Sequence, residues 1–219
     1  MIRAHLSAMV LALALAAGCS GTFTSKAPVS RAYVLRPAPA AADSVAADGA
    51  AADGAAGAAA KPAFDGTLRI QRPNPGPGFE TDRILRLRDG RELDFYATGH
   101  WAAPVPDMVA ALAIETLRRK PLFAGVYGEG TPMRADFFLQ ITVRDFVAAY
   151  PGGSDAPVAR VVLDCTLGRR LDRSVIAAFT AQGSAPAPAN RMGEVVAAYE
   201  AALQQAMAGM AESLAAAAR

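Results

Sequence analysis

The chain has 219 residues, 53% of them hydrophobic and 19% charged, with a formal net charge of +2. That length allows one domain of about 150 residues plus extras, enough to bury a core. The near-neutral balance and the lack of any Lys/Arg cluster exclude a nucleic-acid footprint, and two cysteines, Cys19 and Cys165, are too few for a zinc site and do not read as a disulfide pair.

Residues 1–18 read as an export signal. Arg3 gives a minimal positive start, and residues 6–17 form an apolar run too short to span a bilayer comfortably. The run ends Leu15-Ala16-Ala17-Gly18-Cys19, which resembles the lipobox of bacterial lipoproteins. On that resemblance Cys19 is the lipidation site and residues 19–32 are the lipidated Cys and its polar tether. Several acyl chains anchor stably, since each buried methylene contributes about 0.8 kcal/mol. Ser20 follows, where an Asp in such lipoproteins tends to favour retention in the inner membrane. The resemblance therefore implies an outer-membrane, periplasm-facing, lipid-anchored location.

Tyr33, Val34 and Leu35 mark a brief first strand, residues 33–36. Residues 37–63 collapse to Ala, Gly, Asp and Pro, with too little apolar bulk to pack and too much Gly to hold a helix, so this stretch reads as a disordered linker. The main domain spans residues 64–219. Its opening signals are a strand over 67–71, a rigid loop RPNPGPG over 72–78, and strands over 84–88 and 93–97 joined by the hairpin pair Asp89-Gly90. In the last of these Leu93, Phe95 and Ala97 alternate with Asp94 and Tyr96, the period of a half-buried strand.

Next comes the stretch around which the chain is organised. An aromatic turn bearing Trp101, the only tryptophan, leads to Pro104 and Pro106, which fix the backbone before a helix whose first turn carries Asp107. Along that helix Asp107, Ala111, Glu115, Arg118 and Arg119 form one narrow stripe, and Val105, Met108, Val109, Leu112, Ile114 and Leu117 cover the rest. A helix so widely apolar must lie against a sheet or a partner. Trp101, Pro104 and Pro106 are accordingly the candidate core-organising or partner-facing residues.

Further on, strands are expected over 123–127, 136–146, 159–167 and 174–180. Phe137, Leu139, Ile141 and Val143 face one way, as do Ala159, Val161, Leu163, Cys165 and Leu167, which makes Cys165 a small buried hydrophobe. A Pro-rich break over 184–188 precedes a final helix with Asn190 as its N-cap. Met192, Val196, Tyr199, Leu203, Met207, Met210 and Leu214 form its apolar stripe. The fold class is α+β, a mostly antiparallel β-sheet with two long α-helices packed on one face.

No catalytic machinery is legible. His100 is the only histidine after the signal, no Gly-x-Ser-x-Gly elbow is present, and no Walker lysine motif exists. Asp107 and Glu115 share a helix face two turns apart, which fits a solvated stripe rather than acid–base catalysis. The sequence thus predicts no enzyme, no catalytic residue, no metal site and no cofactor.

The run His100-Trp101-Ala102-Ala103-Pro104-Val105-Pro106-Asp107, between a strand and an amphipathic helix, resembles the core signature of the ABC-type transport auxiliary lipoproteins, PqiC-like, with His100 where that family usually has Arg. The likeness runs more weakly from Tyr33 to the last helix. It implies a non-enzymatic outer-membrane lipoprotein of an ABC/MCE-type system that moves phospholipid or other hydrophobic cargo across the Gram-negative envelope. The implied partners are a periplasmic MCE-domain protein, whose conduit it would dock, with its ABC permease and ATPase, and further copies of itself in a ring. Two other classes stand beside this one: a lipid-binding lipoprotein that carries cargo in a pocket between sheet and helices, and an assembly factor for an outer-membrane protein.

Overall fold

The computed structural model describes residues 30–37 and 61–219. The export signal, Cys19 and residues 38–60 of the expected linker lie outside the described residues. The elements run β1 (Arg31–Tyr33), β2 (Phe64–Ile70), β3 (Asn74–Pro75), β4 (Arg83–Arg88), β5 (Glu92–Trp101), α1 (Val105–Arg118), β6 (Phe123–Gly128), β7 (Phe137–Tyr150), β8 (Val158–Arg169), β9 (Val175–Pro186) and α2 (Met192–Ala217). Among the described residues no helix is long and apolar enough to cross a membrane.

Strand β7 is the axis of the sheet. Along one edge it pairs antiparallel with β8 over nearly its whole length, and β8 pairs antiparallel with β9. Along the other edge it meets three strands in succession, all parallel: β2 at Phe137–Leu139, β3 at Thr142 and Val143, and β4 at Ala148–Tyr150. Strand β6 adds in parallel beyond β2. Strand β5 adds antiparallel beyond β4, and β1 in parallel beyond β5. The fold is α+β as expected, but the sheet is mixed rather than mostly antiparallel. Residues 64–88 travel the same way as β7 and lie along it, and nothing local in the chain announces a parallel partner some seventy residues away in sequence.

Several boundaries shift for related reasons. The expected loop at 72–78 contributes β3, because Pro needs no ladder donor of its own and the N–H of Gly76 donates to the Val143 carbonyl at 2.9 Å. Strand β9 continues through Ser184 to Pro186, where a break was expected; β9 is an edge strand, and Pro186 closes it opposite Val158. The first strand lies at Arg31–Tyr33, slightly before 33–36, and belongs to the same sheet. Asp89 and Gly90 do make the β4–β5 turn, both at positive φ, with the Arg91 N–H donating to the Arg88 carbonyl at 3.0 Å.

The alternation in β5 is present, and the apolar set is the outer one. Leu93 (44% exposed) and Phe95 (40% exposed) point to solvent, while Asp94 and Tyr96 are half-buried. The helices pack chiefly on β9, β8 and β6, so Leu93 and Phe95 gain no cover; the Arg83 guanidinium lies 4.1 Å above the Phe95 ring instead. On the shielded face Arg86 pairs with Asp94.

The core is one cluster that takes in both helices and the apolar rows of β7 and β8. Leu139, Ile141, Val143, Val161, Leu163 and Leu167 are fully buried. Cys165 is buried with them, and burial pushes its thiol up to about 12, so it is no nucleophile at neutral pH. Helix α2 presses hard on β9: a Cβ at Gly183 would sit 1.9 Å from the Ala202 carbonyl oxygen.

Candidate functional site

Trp101 ends β5, and four residues later α1 begins. It is therefore strand, not turn. Its side chain is 1% exposed. The indole meets Phe146 of β7 edge-on at 5.9 Å and Tyr199 of α2 edge-on at 5.1 Å, and Phe146 and Tyr199 stack on each other at 5.1 Å. Each such pair contributes roughly 0.5–1.5 kcal/mol beyond its buried area. The Tyr199 hydroxyl donates to the Leu85 carbonyl at 2.6 Å, and burial holds its pKa well above the usual tyrosine range. The indole N–H of Trp101 has no hydrogen-bond partner among the described residues. Its side chain thus joins two strands and α2 by ring packing.

Pro104 is the N-cap residue of α1, with β-like ψ, and Pro106 is the helix's second residue and buried. Their fixed φ carries the chain straight from β5 into the helix. The N–H of Trp101 and that of Val105 donate to the carbonyls of Asp82 and Thr81, which ties this corner to the start of β4. Beside it Arg72 donates to Asp107 at 2.8 Å and to Glu80 at 2.6 Å. Asp107 is therefore a partner in an exposed ion network at the helix start.

One other expectation changes. Arg191, not Asn190, is the N-cap residue of α2, without a side-chain cap bond. The Asn190 side chain is turned to the sheet, where it accepts from the Tyr150 hydroxyl at 2.8 Å; that hydroxyl also meets Tyr96 at 2.7 Å. His100 lies within β5, half-exposed, with Nδ1 2.8 Å from the Trp101 carbonyl oxygen and 3.8 Å from Asp82. Among the described residues it bonds to no serine or cysteine. Among the described residues no cluster of three or more His, Cys, Asp or Glu could hold a metal.

The feature that sequence reasoning missed is a groove. It opens between the second halves of α1 and α2 and has a volume of about 670 Å³, within the range of small-molecule sites. Leu112, Leu122, Leu203 and Met207 form its apolar lining, with Ala208, Ala211 and Ala215 along one wall. Its polar members are Arg36, Thr116, Arg119, Lys120, Gln204 and Glu212. The signal was present in the sequence as small residues at three- and four-residue spacing on α2, but small residues fit tight packing equally well. Only the position of α1 shows that here they leave space.

Residues 34–211 match the profile of the ABC-type transport auxiliary lipoprotein component, and the chain belongs to that family. A crystal structure of a Xanthomonas campestris protein is similar over 69% of this chain and 84% of its own, at 28% identity and a TM-score of 0.61. A second crystal structure, of an uncharacterised protein, shares the fold at 13% identity and a TM-score of 0.56, over 70% of this chain and 94% of its own. A PelC dodecamer from Paraburkholderia phytofirmans, 14% identical over 69% of this chain and 89% of its own, has a TM-score of 0.40, too distant for its assembly to be carried over. No curated protein matches the chain by sequence. The chain is thus a transport auxiliary component of a lipoprotein family.

Proposed function

We propose that this chain is a non-enzymatic lipoprotein on the periplasmic face of the outer membrane, and that it serves an ABC/MCE-type system moving phospholipid or other hydrophobic cargo. In this reading residues 1–18 direct export, Cys19 carries the anchor, and the folded domain docks the periplasmic conduit built by an MCE-domain protein. The family match over residues 34–211 is the observation that carries it. Trp101, Val105 and Pro106 of the family-like signature are buried, so in this reading those three side chains shape the fold and do not themselves face the conduit.

Two experiments test this. Cys19→Ser should release the chain from the membrane fraction or stall its processing; continued processing and sedimentation with the outer membrane would end the lipoprotein-anchor reading. The full-length chain should also co-purify with an MCE-domain protein encoded beside an ABC permease and ATPase, and failure to do so under conditions that retain the anchor would end the docking reading.

A second reading, that the chain binds cargo itself, is favoured by one observation: the open apolar groove between α1 and α2.

A further inference from the structure

The groove has two properties that together specify a ligand. Its floor and one wall are aliphatic: Leu112, Leu122, Leu203 and Met207, with Ala208 and Ala215 adding no bulk. Its rim is cationic. Arg36, Arg119 and Lys120 line it against a single carboxylate, Glu212. Arg119 is engaged with Glu115. Arg36 and Lys120 form no ion pair among the described residues. Lys120 follows the C-terminus of α1, where a cation is commonplace, but Arg36 stands at no helix end.

Arg36 is nevertheless held in place. Its backbone N–H donates to Glu200 at 2.7 Å, and the Gln204 amide lies 3.5 Å from its carbonyl oxygen, so α2 fixes this segment at the groove through the backbone. Leu35, the residue before it, is buried in the core. The guanidinium is left to the rim. An apolar channel between two helices with cations at its edge is complementary to one kind of small molecule, an aliphatic chain ending in an anion.

We propose that the groove between the C-terminal halves of α1 and α2 binds an anionic phospholipid, an acyl chain lying on Leu112, Leu203 and Met207 and the phosphate held by Arg36 and Lys120. The inference rests on the cargo-binding reading above and gives it a site and a lipid class. Met207 suits an acyl chain, being unbranched and polarisable and able to follow an irregular apolar surface. Small residues on α2 set the width: a larger side chain at Ala208 or Ala215 would close the space.

The test uses the full-length lipidated chain in non-ionic detergent and a phosphatidylglycerol with a photoreactive diazirine in one acyl chain. Labelling should fall on peptides spanning residues 112–122 and 203–215. Arg36→Ala and Lys120→Ala should each weaken labelling about fivefold, the effect expected of one cation beside an anionic lipid, and Ala208→Trp should abolish it with an unchanged melting temperature. A phosphatidylcholine with the same tails should label several-fold less. Labelling outside the two peptides, equal labelling by both lipids, or labelling that survives Ala208→Trp overturns the proposal. So does labelling that appears only when Cys19→Ser removes the anchor, because the groove would then hold the protein's own acyl chain. A chain that ignores the probe but still co-purifies with an MCE-domain protein defeats this inference and leaves the docking reading standing.

Discussion

Helices α1 and α2 share a packed core where α1 begins and part where it ends. At the first end Trp101, Phe146 and Tyr199 fill the space with three rings in mutual contact. At the second, Ala208, Ala211 and Ala215 of α2 face Leu112 and Leu122 across about 670 Å³ of open groove. Both ends are built from apolar residues, so hydrophobicity does not distinguish them; side-chain volume does. Rings that interdigitate at native density leave no room for a ligand, whereas a row of alanines opposite leucines leaves room and a wall on which to lie. The closed end therefore fixes the architecture, and the open end remains for binding.

The largest effect should come from breaking the closed end. Trp101→Ala should cost about 3–5 kcal/mol, a fall in melting temperature of roughly 6–20 °C for a domain of this size. Trp101→Phe should cost clearly less, because the indole N–H has no hydrogen-bond partner among the described residues to lose. Equal melting temperatures for wild type and Trp101→Ala would show that this end fixes nothing.

Next in size is Gly183→Ala. Its new Cβ would collide with the Ala202 carbonyl oxygen on α2, and overpacking of this kind costs about 1–3 kcal/mol. Chemical denaturation should show it as a lower midpoint with an unchanged slope.

Tyr199→Phe keeps the ring and removes the hydroxyl that donates to Leu85; a loss of about 1 kcal/mol is expected. The same variant sharpens the pH dependence. Burial raises the folded-state pKa of Tyr199 above the unfolded value of about 10, so the folded chain keeps a proton that the unfolded chain releases. Stability is therefore fully present below pH 10 and falls above it. Tyr96, also raised by burial and by Tyr150, acts in the same direction. Tyr199→Phe should flatten the alkaline loss without removing it, and identical alkaline profiles would contradict the assignment.

The smallest effect belongs to the open end. Ala208→Leu adds volume where there is space, so stability should change by no more than about 0.5 kcal/mol. A loss as large as that of Gly183→Ala would mean that the groove is already filled, and the contrast between the two ends would vanish.

How much of this was legible in the sequence depends on how far apart the interacting residues lie. The turn at Asp89-Gly90, the helix begun by Pro104 and Pro106, the inward rows of β7 and β8 and the burial of Cys165 could all be read, because each depends on a residue's own backbone or on a local period. The faces of β5 could not: alternation gives two faces, and only the packing of the two described helices on β9, β8 and β6 shows that Leu93 and Phe95 are the outer set. Asn190 had the right chemistry for a cap, yet Tyr150, forty residues earlier, holds its side chain on the sheet.

Local chemistry set the α+β content, the hairpin, the two amphipathic helices, the lack of recognisable catalytic motifs and the family signature, because periodicity, proline and glycine act within a few residues of themselves. Tertiary structure decided that β2, β3 and β4 run parallel beside β7, that Trp101 is enclosed by Phe146 and Tyr199, and that the alanines of α2 border a groove rather than a seam. Those outcomes depend on which distant surfaces meet and at what separation, and a residue's size and polarity do not encode the distance to a neighbour it reaches only after folding.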